Sequence, residues 1–411
     1  MRAFHAAVLA AVFAAATPAQ AGWITSWSAA PVRPMPGYGA MFAAPSFRNQ
    51  TLVQTLRISA GGKALRIRLT NAYGETPLEI GGARVALLDA EGKEVPGSAH
   101  MLTFAGRESA RVAARAPLVS DAIAMAVPDL ARLSLQLYVP GETGPCSCHQ
   151  TGLDTILVSP EGNYLGRTFE PVQTLQNRPF AAAIEVDAID GAGTIAMLAD
   201  SITDGIGSTL GANRRWPDYL AERLSAWAKG KWGIANQGIS GNRVLNEGFG
   251  ESGLARLDRD IIALPGVRYV VVFLGVNDLG MAFTPPGSPP PAPGTGLPNA
   301  GVPVTQEMLL DGYRQIVARA HDKGIKVIGA TIAPYKGSLR WTEQGETVRE
   351  GINAAIRAGR IFDGWVDFDK AFADPADPLQ MRPGYHMGDH LHGTDAGYKA
   401  VADSIDLGLF K

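Results

Sequence analysis

The spacing of apolar residues changes at about residue 191, and this change constrains the fold more than any other feature of the chain. Between Thr51 and Pro160 apolar and polar residues alternate, for example along Leu65–Leu69, where arginines separate the aliphatic residues. A period of two is typical of half-buried antiparallel strands. After Gly191–Gly193, short apolar runs alternate instead with segments of helical periodicity. Because 411 residues also exceed one ordinary hydrophobic core, we expect two domains, one β and one α/β.

The first half carries strand patterns and turns but no long amphipathic helix. The alternation continues along Leu133–Val139, and glycine pairs such as Gly61–Gly62 mark turns. We therefore predict an antiparallel β-sandwich of jelly-roll type over residues 22–185. Its beginning, Trp23–Phe47, contains aromatic residues and prolines without a clear period, and we expect an extended lead-in on the surface of the domain.

The second half, residues 190–411, has the rhythm of a parallel α/β domain. Apolar runs predict strands at Ile195–Ala199, Gly233–Gln237, Tyr269–Leu274, Val327–Ile332 and Trp365–Phe368. Helical patterns follow at Trp216–Lys229, Ser252–Ala263, Gln306–Lys323, Thr347–Gly359 and Asp395–Leu409. Alternating strands and helices with right-handed crossovers build a three-layer α/β/α domain around a flavodoxin-like parallel sheet. A segment rich in proline and glycine interrupts it at 281–304, either as a lid beside a site or as a surface excursion.

The first residues, Met1–Ala21, have the pattern of a secretory signal peptide. Arg2 provides the positive start, Ala6–Ala16 the small apolar centre and Ala19–Ala21 the cleavage pattern. No later apolar run reaches the roughly 18–20 residues that span a bilayer. The formal net charge of −2, without a basic block, argues against a nucleic-acid partner. We therefore expect a secreted or periplasmic protein without a membrane span.

Cys146 and Cys148 are the two cysteines of the sequence. An oxidising compartment permits a disulfide between them, but so small a ring is strained, and an unpaired pair is the alternative. A metal site is a weaker interpretation, because zinc needs further ligands and only His149 is near in sequence. We interpret His149 as a surface histidine, with a position over an active site as the alternative.

Four polar segments follow predicted strands of the second half or precede its last helix. They are Asp200-Ser201, Gly238-Ile239-Ser240-Gly241-Asn242, Gly275–Asp278 and Asp389–His392. A parallel sheet brings the carboxyl ends of its strands to one edge, where such folds bind ligands. The four segments can therefore meet at one site, although the chain separates them widely.

These segments resemble the four sequence blocks of the SGNH, or GDSL-type, hydrolase superfamily. The blocks are matched, in order and at strand ends, by Asp200-Ser201, Gly238, Gly275-Val276-Asn277-Asp278 and Asp389-His390-Leu391-His392. The resemblance covers about Thr194–Lys411, and the β-sandwich resembles, less specifically, the extra domain of larger secreted members. Ala199 departs from the pattern because the family has glycine there, and an added methyl group can crowd the turn that presents Ser201.

The resemblance implies a catalytic triad and an oxyanion hole. Ser201 is the implied nucleophile, His392 the base that takes its proton, and Asp389 the carboxylate that orients the imidazole. The implied oxyanion donors are the backbone N–H groups of Ser201 and Gly238 and the side-chain amide of Asn277. This chemistry needs neither a cofactor nor a metal ion.

Each of these residues also has a simpler interpretation. Ser201 can cap the helix that follows it, Asn277 can hold a turn, and Asp389 can be an ordinary loop carboxylate. His390 is the alternative base. The histidines and the aspartate of residues 386–392 also permit a zinc site, although a metallohydrolase would not need the serine, glycine and asparagine blocks.

We therefore expect a secreted serine esterase that hydrolyses carboxylic esters through an acyl-serine intermediate. The extra domain and the expected compartment favour deacetylation of a carbohydrate, an association that rests on domain company. The alternatives are a lipid- or aryl-ester hydrolase with the same triad and a catalytically weak carbohydrate-binding or scaffolding protein, and Ala199 favours the last. The substrate is thus a small-molecule or polysaccharide ester, and the oligomeric state stays open.

Overall fold

The computed structural model describes residues 22–35, 43–283, 302 and 304–411. The predicted signal peptide, Met1–Ala21, lies outside the described residues, and so does most of the predicted insertion 281–304. Within the described residues, no helix combines the length and the apolar character needed to cross a membrane. The chain forms an antiparallel β half followed by a parallel α/β half, which is the fold class that the sequence predicts.

Two main antiparallel sheets form the first half, and apolar residues of both contribute to one shared core, as in the predicted sandwich. The strands are, in chain order, β1 (Trp23–Ser28), β2 (Arg48–Arg57), β3 (Leu65–Thr70), β4 (Leu78–Ile80), β5 (Gly82–Leu88), β6 (His100–Met101), β7 (Ala110–Val112), β8 (Pro117–Val119), β9 (Arg132–Glu142), β10 (Cys148–His149), β11 (Ile156–Glu161), β12 (Gln173–Leu175), β13 (Arg178–Pro179) and β14 (Ala181–Asp187). One sheet has four strands in the order β1-β14-β3-β8, and the other has six in the order β12-β11-β2-β9-β5-β6. Two short pairs, β10 with β13 and β4 with β7, accompany them.

The alternating pattern of β3 separates its two faces. Leu65 and Leu69 are fully buried in the shared core. Arg66 and Arg68 lie on the opposite face, where both pair with Glu185 of β14, at 2.5 and 2.6 Å. Because a shift by one residue would exchange the two faces, the pattern sets the register of this strand.

β1 contradicts the expected surface lead-in. It pairs with β14 in the four-stranded sheet, and most of its residues are buried. It also contacts the α/β half, where the N–H of Thr25 donates to Thr194 Oγ1 at 2.9 Å. The N–H of Ile234 crosses the same boundary to Ser59 Oγ at 2.7 Å. The sequence pattern misses β1 because its hydrogen-bond partners lie far along the chain.

The second half is built on one five-stranded sheet whose neighbouring strands all pair in parallel. Its strands are β15 (Gly193–Ala199), β16 (Trp232–Gly238), β17 (Val267–Phe273), β18 (Lys326–Ala330) and β19 (Gly364–Val366), in the order β16-β15-β17-β18-β19. Its α-helices are α1 (Ser201–Asp204), α2 (Trp216–Trp227), α3 (Gly253–Leu257), α4 (Val276–Ala282), α5 (Gln306–His321), α6 (Glu343–Arg357), α7 (Phe368–Phe372) and α8 (Asp395–Ser404). A π-helical turn, Asp258–Ile262, extends α3, and a 3-10 turn, Leu407–Leu409, follows α8.

The predicted elements of this half are all found, with ends that differ by a few residues. Each predicted strand overlaps one strand of the sheet, and each predicted helix overlaps one of the five longer helical segments. The helices α1, α4 and α7 are not predicted, because segments of four to seven residues are too short to show a helical period.

The order of the strands determines where a site can form. β15 lies between β16 and β17, and the chain passes from β15 to β16 on one side before it forms β17 on the other. Such a reversal opens a crevice at the carboxyl ends of the strands. Ser201 follows β15, the loop 239–245 follows β16, and Asn277 follows β17. Three of the predicted blocks therefore meet at this edge of the sheet.

Candidate active site

Ser201 stands at the first position of α1, close to the end of β15. Asp200 caps this short helix, because its carboxylate accepts the N–H of Ile202 at 3.0 Å. The N–H groups of a first helical turn have no acceptor within the helix, so that of Ser201 can serve a ligand. Ala199 is the last residue of β15 and does not have a positive φ, so the backbone there accommodates its methyl group.

Asp200 is buried and holds a proton more firmly than an exposed aspartate does. Burial raises the pKa of Asp200 to about 7, and the charges of Asp278 and Asp204 act in the same direction. The N–H of Ile202 and the guanidinium of Arg256 oppose this increase in pKa. The hydrogen bond from Ile202 to this carboxyl group braces the serine turn.

Ser201, His392 and Asp389 form a continuous chain of hydrogen bonds. Ser201 Oγ lies 2.9 Å from His392 Nε2, and His392 Nδ1 lies 2.5 Å from Asp389 Oδ2. An ionised carboxylate can only accept, so Nδ1 carries the proton and Nε2 of the neutral ring accepts the hydroxyl proton of Ser201. The histidine and the aspartate named by the resemblance therefore lie where the activation of Ser201 requires them.

Asp389 is held in its ionised form. Its Oδ1 accepts the backbone N–H groups of Leu391 and His392, at 3.0 and 2.9 Å. Burial alone would raise the pKa of Asp389, but the bonds to the ring and backbone of His392 outweigh burial and hold this pKa well below its usual range. The carboxylate can thus fix the tautomer of His392 and stabilise the protonated ring.

Tyr398 of α8 links the two loops that carry the serine and the histidine. Its hydroxyl donates to the carbonyl of Ile206 at 2.5 Å and accepts the N–H of Gly393 at 3.2 Å. Ile206 follows α1, and Gly393 follows His392. Because the ring of Tyr398 is fully buried, the packed core itself holds the two loops next to each other.

Asn277 reaches the same crevice from the first turn of α4, and its side chain is buried. Nδ2 donates one proton to the carbonyl of Asn242 at 3.1 Å, which leaves its second N–H for a ligand. The carboxylate of Asp278 accepts two backbone N–H groups of the loop 239–245, at 2.8 and 3.2 Å. These bonds hold the loop 239–245 against the start of α4.

Gly238 does not lie where the sequence interpretation places it. Its N–H donates to the side chain of Asn236 at 2.9 Å, and it is not among the described residues that line the crevice. A Cβ at this position would lie 2.5 Å from the backbone nitrogen of Asp204, so glycine is needed for the close packing of β16 against α1. Gly241, with a φ of 76°, lines the crevice instead.

Arg256 of α3 ties the ends of β15 and β16 to the loop 239–245. Its guanidinium donates to the carbonyls of Ala199 and Gln237, at 2.9 and 2.7 Å, and to the side chain of Asn242 at 3.0 Å. Sequence reasoning misses this role because a single arginine in a helix gives no signal of its partners.

The site opens onto a groove of about 220 Å³. The groove is lined by Ser201, Ile206, Ser240, Gly241, Phe249, Asn277, Arg340, Leu391 and His392. Apart from Arg340, Ser240 and the polar groups described above, its walls are the apolar side chains of Ile206, Phe249 and Leu391. A few placed polar groups in an otherwise apolar groove are typical of a ligand site.

A second cluster of serine, histidine and aspartate lies at the boundary between the two halves. His149 is buried there, with Nε2 2.8 Å from Asp204 Oδ1 and Nδ1 2.9 Å from the carbonyl oxygen of Ala30. Ser240 Oγ donates to Asp204 Oδ2 at 3.0 Å. Neither sequence interpretation of His149 is therefore right, because it lies neither on the surface nor over the active site.

The cysteines that precede His149 are joined by a disulfide, and both are buried. Of the alternatives left open for Cys146 and Cys148, the structure thus has the bonded pair. No group of three or more histidine, cysteine, aspartate or glutamate side chains suited to a metal ion occurs within residues 22–35, 43–283, 302 and 304–411.

His390, the alternative base, is turned to a different partner. Its ring stacks on that of His386, with centroids 4.2 Å apart. The backbone N–H of His390 also donates to His386 Nδ1 at 3.2 Å. His392 is the histidine whose ring contacts Ser201.

Comparison with known proteins identifies a family for the second half of the chain. Residues 200–400 match the model of the GDSL-like lipase/acylhydrolase family. No curated protein matches the chain. Similar solved structures include a variant of an acetyl xylan esterase from Geobacillus stearothermophilus (21% identity, 52% of this chain and 93% of that chain, TM-score 0.40), an α/β hydrolase from the metagenome of Lake Arreo, Spain (22%, 53% and 94%, 0.39), and a GDSL-like lipase from Bacteroides thetaiotaomicron (19%, 53% and 87%, 0.37). Similarities of this size carry no argument about substrate.

Proposed function

Residues 200–400 belong to the GDSL-like lipase/acylhydrolase family, which makes the chain a serine ester hydrolase, and we propose that it removes small acyl groups through an acyl-serine intermediate. One observation carries this proposal above the others. The hydrogen-bonded chain from Asp389 through His392 to Ser201 ends in a groove that can admit an ester.

In the proposed mechanism, Ser201 Oγ attacks the carbonyl carbon of the ester while its proton passes to His392 Nε2. Asp389 keeps the other proton on Nδ1 and stabilises the imidazolium. The tetrahedral intermediate collapses, the bond to the alcohol oxygen breaks, and the alcohol leaves with the proton from Nε2. A water molecule that gives a proton to the same nitrogen then attacks the acyl carbon. The bond from this carbon to Ser201 Oγ breaks, Oγ takes the proton back from Nε2, and the acid is released.

The oxyanion of each tetrahedral intermediate needs donors that are already in place. The backbone N–H groups of Ser201 and Gly241 and the remaining N–H of Asn277 fit this role, with Gly241 in place of Gly238. In the part of the chain that the structure describes, the N–H of Gly241 makes no other hydrogen bond. A donor of this kind typically lowers the barrier by about 3–4 kcal/mol.

The dimensions of the groove support a small acyl group. Its volume of about 220 Å³ is below the roughly 300–1,000 Å³ of pockets that enclose a whole drug-sized ligand. We propose acetate as the acyl group. The proposal that the alcohol is a carbohydrate rests on the presence of the β-sandwich beside the hydrolase half, as in the sequence interpretation. The proposal of secretion rests on the pattern of Met1–Ala21.

Acetate release from a panel of acetylated polysaccharides tests the function, with Ser201→Ala as the control. We expect release by the wild type alone, and faster turnover of 4-nitrophenyl acetate than of the octanoate. A preference for octanoate would favour a lipid-ester hydrolase instead. Activity that survives a serine-directed phosphonate but is lost with a chelator would contradict the serine mechanism. Amino-terminal sequencing of protein recovered outside the cells tests cleavage after Ala21.

A further inference from the structure

Arg340 brings a positive charge into the wall of the groove. It lies in the loop between β18 and α6 and is half-buried. It lines the same groove as Ser201, Asn277 and His392, so a substrate bound at the reacting serine would lie beside this arginine.

No carboxylate of the chain neutralises this charge. Within the described ranges the guanidinium of Arg340 makes neither an ion pair nor a hydrogen bond. The remaining residues, 1–21, 36–42, 284–301 and 303, contain no aspartate or glutamate. Burial lowers the pKa of Arg340, and no negative charge opposes that shift. By contrast Arg349, also in this half, pairs with both Glu346 and Asp369.

The surroundings of Arg340 add positive rather than negative charge. Burial lowers the pKa of Arg243, whose side chain is also buried, and the charge of Arg340 lowers it further, although Asp278 opposes the shift. Two guanidinium groups thus act on each other near the groove. An anion bound between the groove wall and Ser201 would relieve this repulsion.

The stem of Arg340 is already held in place. It packs along α4 at Gly280, one turn after Asn277, where an added Cβ would lie 3.0 Å from Arg340 Cβ and 3.3 Å from Cδ. A stem packed against a helix loses little freedom when its head group binds a ligand. The stem therefore fixes the position of Arg340 in the groove wall before a substrate binds.

We propose that Arg340 makes this esterase selective for esters that carry a carboxylate close to the scissile bond. The planar guanidinium matches a carboxylate with two parallel hydrogen bonds, and partial exclusion of water strengthens them. The inference rests on the proposed function, because it names the class of substrate for the same site. The carboxylate can belong to the alcohol, as in an acylated acidic sugar, or to the acyl group, as in a hemiester of a dicarboxylic acid.

Two pairs of esters, alike except for the charge, separate these sources. On the alcohol side, 4-acetoxybenzoate is compared with its methyl ester. On the acyl side, mono(4-nitrophenyl) succinate is compared with 4-nitrophenyl 4-oxopentanoate. Because the two members of a pair differ in intrinsic reactivity, the readout is the change in their kcat/KM ratio between wild type and variant. A charge-assisted hydrogen bond predicts that Arg340→Gln lowers this ratio about tenfold to a hundredfold in one of the pairs.

Four further measurements test whether the effect is specific to Arg340. Arg340→Lys should keep part of the preference, since it retains the charge but not the planar fork. Gly280→Ala, which retains Arg340 but crowds its stem, should lower the preference as well. Arg360→Gln is the matched control, because this exposed arginine precedes β19 at the opposite edge of the sheet and should leave all four rates unchanged. Added salt should weaken the wild-type preference by screening.

The possible outcomes distinguish this inference from the proposed function. An equal loss for charged and neutral esters in Arg340→Gln, or an unchanged ratio in both pairs, overturns the role of Arg340 while the esterase stands. Absence of Ser201-dependent turnover for all four esters overturns the proposed function itself. A changed ratio in only one pair supports the inference and assigns the carboxylate to that side of the scissile bond.

Discussion

Two clusters of serine, histidine and aspartate lie in this molecule, and they differ in the order of their hydrogen bonds. At the groove, the ring of His392 lies between Ser201 and Asp389. The ring accepts from the serine on one side and donates to the carboxylate on the other. A proton that leaves the serine hydroxyl therefore has a basic nitrogen to receive it.

At the boundary between the halves, the carboxylate of Asp204 lies between His149 and Ser240. The second ring nitrogen of His149 faces the carbonyl of Ala30. Ser240 contacts the carboxylate and not the ring, and both ring nitrogens of His149 face other oxygen atoms, so no ring nitrogen is placed to take the proton of this serine. The order of hydrogen bonds, rather than the presence of three residue types, thus decides whether a serine can be activated.

The boundary cluster connects the β-sandwich to two segments that line the groove. His149 belongs to β10 of the sandwich, Asp204 ends α1, and Ser240 lies in the loop 239–245. Since α1 begins with Ser201 and that loop contains Gly241, the sandwich holds two sides of the groove through one buried histidine. We infer that this cluster stabilises the site and takes no part in the chemistry.

The largest expected difference lies between the two serines. Ser201→Ala should lower kcat for 4-nitrophenyl acetate by roughly 10⁶-fold, the size of the loss when a serine protease loses its nucleophile. Ser240→Ala removes one hydrogen bond to Asp204 and should change kcat by less than about tenfold. Steady-state rates of both purified variants check this, with circular dichroism to establish folding. Comparable losses in the two would contradict the assignment of one chemical cluster and one structural cluster.

Replacement of His149 should lower the stability of the protein more than replacement of His392, although His392 is the histidine that turnover requires. His392→Gln should abolish turnover with little change in the free energy of unfolding, because this ring is partly exposed. His149→Gln leaves a buried carboxylate with one donor fewer and should cost about 1–3 kcal/mol of stability. Denaturant unfolding followed by tryptophan fluorescence measures this, and the rate per folded molecule should stay within about tenfold of wild type. A His149 variant as stable as the wild type would remove the structural role.

The same contrast shows how far the sequence predicts this site. The sequence allows four site residues to be recognised: Ser201, Asn277, Asp389 and His392. Each belongs to a short polar block that follows a strand or precedes a helix, and such blocks are visible in the sequence as local patterns. The parallel sheet is predicted for a similar reason, since its strands are buried apolar runs flanked by helical periods. Local patterns therefore recover the elements that carry the site.

What the sequence does not predict depends on contacts between distant segments. Gly238 is the last residue of β16 and Gly241 lies in the loop after it, and only the position of α1 shows that the first packs against a helix while the second lines the groove. β1 finds its partner β14 across the whole sandwich. His149 is likewise buried by partners from the other half of the chain, and no spacing of residues in the sequence predicts such a contact.

The smallest expected effect concerns Asp200, which lies next to Ser201 and close to the charge of Asp204. Its pKa is about 7 in the folded protein, against an ordinary value of 3.8, chiefly because it is buried. The folded chain therefore keeps a proton that the unfolded chain releases. The contribution of Asp200 to stability is thus fully present below about pH 4 and is lost as the pH rises through about 7. Asp389 has the opposite sign, because its folded pKa is lowered, and its contribution is lost in acid.

Asp200→Asn should remove the pH dependence of stability that Asp200 causes, while the asparagine keeps an oxygen that can cap α1. The free energy of unfolding of the variant relative to the wild type should then rise between pH 5 and pH 7, by at most about 1.4 kcal/mol per pH unit. Urea unfolding at both pH values measures this difference, and the titrations of Asp389 and of most other groups cancel because both proteins contain them. A difference that is constant with pH would mean that the carboxylate beside Ser201 is already ionised at pH 5. In that case the hydrogen bond from Ile202 and the charge of Arg256 outweigh burial, and the serine turn carries a negative charge at pH 5 and above.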